Sequence, residues 1–341
     1  MLRKVIGLLL LLALGAQLYQ LVQGLRLPEV ALADTLALIT LILLGGLSAF
    51  YLLSRRRWKY RYLLPLMLLF VINTTVAGVI LASVYVDQQL AQRSYAGIYN
   101  DCHKIWGARG LVQEGPNITP DGSQNSVASI SLALSRGAKG NEVDVFFDRD
   151  WGEFIVSHDY PYNLKQGSIL TLENLFRVTG KQGYVWLDFK KLRHLNSAEL
   201  AQSVAELARI AASTDLKQRI YVEGEAPFSL AAYRDAGFNT IFDTHPLPES
   251  MPLASAIIAV YKLVYYFGDY SVMAMNYGEI DDPIYGPTTR RQLGSIPVFI
   301  YHVDDHAETL QALSNMPTVR VILVENHSLD RYSVNACAAN N

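Results

Sequence analysis

Between Lys104 and Glu325 eight short apolar runs are separated by seven stretches with helical spacing. The runs cover residues 104–110, 140–148, 184–190, 219–225, 240–245, 270–275, 297–303 and 319–325. Helical spacing is seen over 126–136, 171–178, 197–213, 250–265 and 306–314, with shorter pieces at 228–236 and 288–293. The clearest helix is 197–213, amphipathic and rich in Ala, Leu and Glu. Strands that alternate with helices predict parallel βα units. Eight of them in one domain predict an α/β chain closed into a (β/α)₈ TIM barrel. An open doubly wound sheet is the second choice, and no Gly-rich phosphate fingerprint supports it.

Composition divides the chain. Over 341 residues the apolar share is 51%, high for a soluble enzyme, and the excess lies in the first ninety residues. All seven histidines and both cysteines come after them. Apolar segments at 5–22, 31–53 and 63–86 are each long enough to span a bilayer as a helix. The basic, aromatic loop from Arg55 to Tyr62, together with Arg3 and Lys4, belongs on the cytoplasmic side. The expected organisation is a membrane region with three transmembrane helices over 1–90 and a barrel over 100–341 on the non-cytoplasmic (periplasmic or extracellular) side. A cleaved signal peptide is an alternative for the first segment, but its cleavage pattern is weak. These segments hold few polar residues, which favours an anchor over a channel or transporter. With a net charge of −2 there is no field for nucleic acid.

The chemistry concentrates in the stretch Gly140 to Asp148. Side chains alternate along a strand, so Glu142 and Asp144 share one face while Val143, Val145 and Phe147 take the other. Two carboxylates in an apolar strand are costly unless neutralised. Asp188, in the next apolar run, adds a third acid, with Lys190 two residues on and on the same face. Three oxygen donors without a zinc-like Cys or His spacing favour Mg²⁺ or Ca²⁺. Arg109 and Lys190 add positive charge suited to phosphate oxygens. His158, in Ser157-His158-Asp159, can move a proton. The other strand ends read Glu223, Asp243, His245, Tyr301, His302 and Glu325, a polar rim of the kind an active-site mouth requires. Of these, Glu223, Tyr301 and His302 join Arg109 and Lys190 as expected substrate contacts.

With those motifs in place, the sequence from Lys104 to Asn326 resembles the glycerophosphodiester phosphodiesterases, a branch of the phosphatidylinositol phospholipase C-like phosphodiesterases. The likeness is strongest from Trp106 to Lys190, in Gly137-Ala138-Lys139-Gly140-Asn141-Glu142-Val143-Asp144, Ser157-His158-Asp159 and Asp188-Phe189-Lys190. Asp188, where that branch often has Glu, is similar to the sphingomyelinase D-like enzymes. The resemblance implies a barrel, a divalent metal on Glu142, Asp144 and Asp188, phosphate contacts from Arg109 and Lys190, and His158 as one of a histidine pair.

Two positions depart from the family pattern. Gln124-Asn125-Ser126 stands where Glu-Asn-Thr is usual, and Ala108 stands where the first catalytic His is expected. Alanine cannot transfer a proton, and losing one positioned acid or base costs on the order of 10²–10⁴ in rate. Three explanations are open: a deliberate replacement that gives an inactivated variant, a natural binding-only relative, or another group such as His302 or His245 doing the work. The intact surroundings of Ala108 favour the first. The expected activity is that of a phosphoric diester hydrolase on a glycerophosphodiester or phospholipid head group; the alternative is a catalytically inactive head-group binding protein. Finally, Cys102 precedes the first strand and Cys337 follows the last, so barrel closure predicts a disulfide between them.

Overall fold

Eight parallel strands close on themselves in the computed structural model, which describes residues 63–341 apart from 113–123, 166, 180–181, 225, 249–250, 280–281, 284, 326–330 and 335–341. In chain order the strands are β1 (Ile105–Ala108), β2 (Gly140–Asp148), β3 (Glu153–Val156), β4 (Tyr184–Phe189), β5 (Ile220–Gly224), β6 (Asn239–Asp243) and β7 (Val272–Asn276). After these come the two-residue strands β8 (Gly278–Glu279) and β9 (Asp282–Pro283), which pair only with each other, then β10 (Val298–Tyr301) and β11 (Val319–Val324). The ring runs β1-β2-β4-β5-β6-β7-β10-β11 and returns to β1. Closure is made by Ile105 beside Ile322 on one side and Ala108 beside Glu142 on the other. β3 lies outside the ring, antiparallel to the far end of β2.

The barrel interior is an aromatic stack. Trp106 from β1, Trp186 from β4, Tyr221 from β5 and Phe299 from β10 point inward with Ile241, Val272, Ala274, Val321 and Leu323. Parallel strands buried on both faces read as near-continuous apolar runs, which is why each of the eight ring strands coincides with a run. Gly140 opens β2 because nothing larger fits: a Cβ there would lie 2.6 Å from the Trp106 ring. Tyr99 enters the same cluster from the segment before β1, with its ring 5.0 Å from that of Trp106 and 4.7 Å from that of Tyr184. Its backbone N–H donates to the Tyr221 hydroxyl at 2.8 Å.

Helices follow the strands where the spacing placed them, at Val127–Ser135, Leu172–Thr179, Ser197–Thr214, Pro227–Asp235, Met251–Gly268, Pro287–Leu293 and Ala307–Ser314. The longest amphipathic one starts at a reciprocal cap. Asn196 Oδ1 accepts from the backbone of Ala198 and Glu199, and Glu199 returns a bond to the Asn196 N–H. Met251–Gly268 is an ordinary barrel helix, with Tyr265 fully buried against the sheet side and bonded to the Ser271 carbonyl.

The chain divides into two units, Met1–Arg93 and Ser94–Asn341. In the first, a 30-residue helix, Leu63–Gln92, covers the third apolar segment. The segments at 5–22 and 31–53 and the basic loop fall outside the described residues, as does Cys337, the expected partner of Cys102. Among the residues described with their side chains, no helix is long and apolar enough to cross a membrane. The membrane assignment therefore rests on the sequence.

Candidate active site

A cleft of about 450 Å³ opens at the C-terminal ends of the strands, where a barrel of this kind carries its chemistry. Ala108, Arg109, Glu142, Asp144, His158, Asp188, Lys190, Glu223, Tyr301 and His302 all line it. Every residue expected at the site is thus brought to one mouth. His245 is not among the lining residues; its carbonyl accepts from the Tyr261 hydroxyl at 3.3 Å. Of the two strand-end histidines, His302 is the one that lines the cleft. His103, before β1, pairs with Asp101 at 3.0 Å.

The three acids converge because of register. Asp144 sits directly beside Asp188 across β2 and β4, and the even spacing along β2 puts Glu142 on the same inward face. One oxygen from each of Glu142, Asp144 and Asp188 can be chosen so that all lie within 4.8 Å of one another. Glu142 and Asp144 are buried and Asp188 is partly buried. Burial first, then the charges of Asp144 and Asp188, push the Glu142 carboxyl well above its ordinary range. Asp188 is pushed up to about 6 by burial and by Asp144, against the pull of Lys190.

Lys190 is the cation inside this group. Its Nζ lies 2.7 Å from Asp144 Oδ1 and also bonds Asp188 Oδ2. Burial alone would lower its pKa; Asp188 and Asp144 outweigh that and hold it above the usual lysine value. One ammonium against three carboxylates leaves an excess of negative charge. A divalent cation with oxygen ligands fits such a donor set.

Asn125, absent from the expected site residues, fixes the central acid. Its Nδ2 donates to Asp144 Oδ2 at 2.6 Å, and its Oδ1 accepts from the Asp144 N–H at 3.1 Å. The residue immediately precedes Ser126, which caps the helix Val127–Ser135 in a reciprocal box with Ser129. The turn after β1 is tied to the same helix: the Arg109 carbonyl accepts from Asn125 N–H at 2.9 Å and from Ser129 Oγ at 3.2 Å. Gly110 makes this approach possible, since its φ is +80° and a Cβ there would meet the Ser129 backbone at 2.6 Å. Arg109, itself at φ 58°, gives its N–H to Glu142 Oε2 at 2.9 Å. Its guanidinium lies 3.9 Å from Glu325.

The rest of the mouth is a second polar group. Glu223, beside Asp188 in register, receives the Trp186 indole N–H at 2.6 Å. Burial, then Asp188 and Asp243, raise its pKa well above normal. The Tyr301 hydroxyl donates to Asp243 at 3.2 Å. His302 meets Asn276 through Nδ1 at 3.1 Å and approaches Glu325 through Nε2 at 4.0 Å. His158 Nδ1 is 2.9 Å from Asp159, which leaves Nε2 as the other ring nitrogen. Lys191, Arg193 and His194 also line the cleft. The expected site omitted them, although the run Lys190 to His194 after an acid-bearing strand is basic at all but Leu192.

No family model and no curated protein matches this sequence. Among solved structures the chain is similar to a Galdieria sulphuraria protein assigned to the glycerophosphodiester phosphodiesterases. The identity is 17%, the TM-score 0.49, and the match covers 67% of this chain and 96% of that one. It is also similar to a glycerophosphodiester phosphodiesterase from Parabacteroides distasonis, at 14% identity and a TM-score of 0.47 over 70% of this chain and 98% of that one. A third, from Agrobacterium tumefaciens, gives 14% and 0.43 over 67% and 99%. The sphingomyelinase D-like part of the expectation rests on the sequence, on Asp188 together with the run from Glu142 to Asp148. All three carry the glycerophosphodiester phosphodiesterase assignment, and at these identities the reading of the cleft stands on its own residues.

Proposed function

We propose that this chain is a membrane-anchored, metal-dependent phosphodiesterase for a glycerophosphodiester or phospholipid head group, with Ala108 at the position of one of two catalytic histidines. The observation that carries the reading is the convergence of Glu142, Asp144 and Asp188, with Lys190 and Arg109 beside them, in one cleft. The donor set fits Mg²⁺ or Ca²⁺, held by those three carboxylates; bound there, the ion offsets charge that builds on phosphoryl oxygens. Arg109 presents a planar donor fork to the phosphate, and Lys190 a point charge. Asp159 orients the His158 ring, whose Nε2 takes or gives the proton of the attacking or leaving oxygen. The nucleophile is water or a neighbouring substrate hydroxyl. The apolar segments before the barrel support anchoring by three helices, with the basic loop from Arg55 to Tyr62 inside and the barrel outside.

Ala108 also favours a second reading, a binding protein that keeps the pocket without turnover. The Ala108→His variant separates the two. Ala108 lines the cleft and lies beside Glu142 in register, so a longer side chain there faces the acids. For the enzyme, Mg²⁺- or Ca²⁺-dependent cleavage of glycerophosphodiesters rises by on the order of 10²–10⁴ in the variant. No turnover in either form, with retained binding of the diester by calorimetry, assigns the binder.

A further inference from the structure

We infer that the rim of the cleft docks onto an anionic bilayer surface, so that the phosphodiester is taken from lipid at that surface. The inference rests on the phosphodiesterase reading for its substrate, and on the rim itself for the docking. Three large apolar side chains stand out in solvent at the C-terminal end of the barrel, Tyr160 and Leu164 on the loop after β3 and Phe228 in the first turn of the helix after β5: Tyr160 is 66% exposed, Leu164 56% and Phe228 96%. Tyr160 and Leu164 follow the cleft residue His158, and Phe228 is two residues beyond the cleft residue Ala226.

The barrel order puts these loops side by side. β2, which carries β3, neighbours β4, and β4 neighbours β5. The loop after β4 therefore lies between the Tyr160 loop and the helix start that carries Phe228. It presents Lys191, Arg193 and His194, all exposed. Lys191 Nζ sits 5.1 Å over the Tyr160 ring, which joins apolar and cationic parts into one patch. Asp159, next to Tyr160 in the chain, is engaged by His158.

Singly exposed apolar residues are ordinary on a protein surface. Three around one mouth, with cations between them, match a lipid interface, where apolar tips enter the acyl boundary and basic groups meet anionic head groups. A soluble diester needs none of this, since Phe228 points into open solvent and lines no part of the cleft.

The test uses the full chain in proteoliposomes of phosphatidylcholine alone or of phosphatidylcholine with phosphatidylglycerol. Phe228→Cys is labelled with an environment-sensitive nitrobenzoxadiazole dye, and the unsubstituted chain sets the labelling background. The expected result is a blue-shifted, brighter emission when phosphatidylglycerol is present, lost when Lys191→Glu and Arg193→Glu are added. Val178→Cys, also exposed but in the last turn of its helix, shows no shift. The same spectrum in both vesicles, or an equal shift at Val178, overturns the docking. A kinetic arm, run in the Ala108→His background, adds Leu164→Ala with Phe228→Ala. Cleavage of a vesicle-borne diester then falls about tenfold or more, as expected for lost apolar insertion, while cleavage of a water-soluble diester is unchanged. An Ala108→His chain that cleaves neither diester sinks the enzyme reading and leaves the fluorescence result to decide docking.

Discussion

Asn125 grips Asp144 from two sides, donating to its carboxylate at 2.6 Å and accepting from its backbone N–H at 3.1 Å. The amide thus sets both the position and the orientation of the acid at the centre of the cluster. Support of this kind is worth about 10–100-fold in metal affinity. Asn125→Gly keeps the left-handed backbone at φ 51° without strain and removes both bonds. We expect it to weaken Mg²⁺ or Ca²⁺ binding by about that factor, measured by titration calorimetry. Unchanged affinity would show that Asp144 needs no support.

The acid cluster couples metal to pH. Asp188 has an ordinary pKa of 3.8 and is raised to about 6 in the fold, and Glu142 is raised too. The folded chain therefore holds more protons than the unfolded one across that interval, and metal-free stability falls as pH rises through it. A divalent ion must displace those protons, so its affinity climbs over the same interval, with proton release. Urea melts in chelator and in Mg²⁺ across this range should diverge as pH rises. Parallel curves would count against metal binding here.

Lys190 is the only ammonium bonded to both Asp144 and Asp188 among the described residues. Lys190→Met leaves three acids facing one another. Because the lysine is partly exposed, the cost in chelator should be on the order of 1–3 kcal/mol, below that of a fully buried pair. Added Mg²⁺ should recover much of it, as read from chemical denaturation. A variant as stable as the parent in chelator would remove Lys190 from this account.

At the opposite end of the barrel, Tyr99 fills space between Trp106 and Tyr184. Tyr99→Ala should cost about 3–5 kcal/mol, as large-to-small core changes do. It should leave metal affinity alone, since the acids sit at the other mouth. A drop in affinity that matches the loss of stability would contradict that separation.

The expected Cys102–Cys337 bridge is checked by peptide mapping without reductant. A single linked peptide pair confirms it, and two alkylated thiols in fresh protein refute it. Its reduction should lower stability by about 2–5 kcal/mol.

Some of this molecule was legible residue by residue. The second run was placed at 140–148, and β2 occupies Gly140–Asp148. The other ring strands fall within about two residues of their runs, because a strand buried on both faces must be apolar along its length. The face shared by Glu142 and Asp144 follows from the two-residue period. Asn125 was legible only as part of a motif, since its task depends on a partner nineteen residues away on another element. His245 and His302 looked equivalent as strand-end histidines; closure turned one into the cleft and left the other outside it.

By itself, the sequence determined the number of βα units and the face on which each acid lies, because periodicity and apolar content act locally. Tertiary structure alone decided that Asp144 stands beside Asp188, that Asn125 holds Asp144, and that Lys191 meets Tyr160 at the rim. Register and ring closure are set by side chains packing across the barrel from distant parts of the chain, and no local pattern encodes that fit.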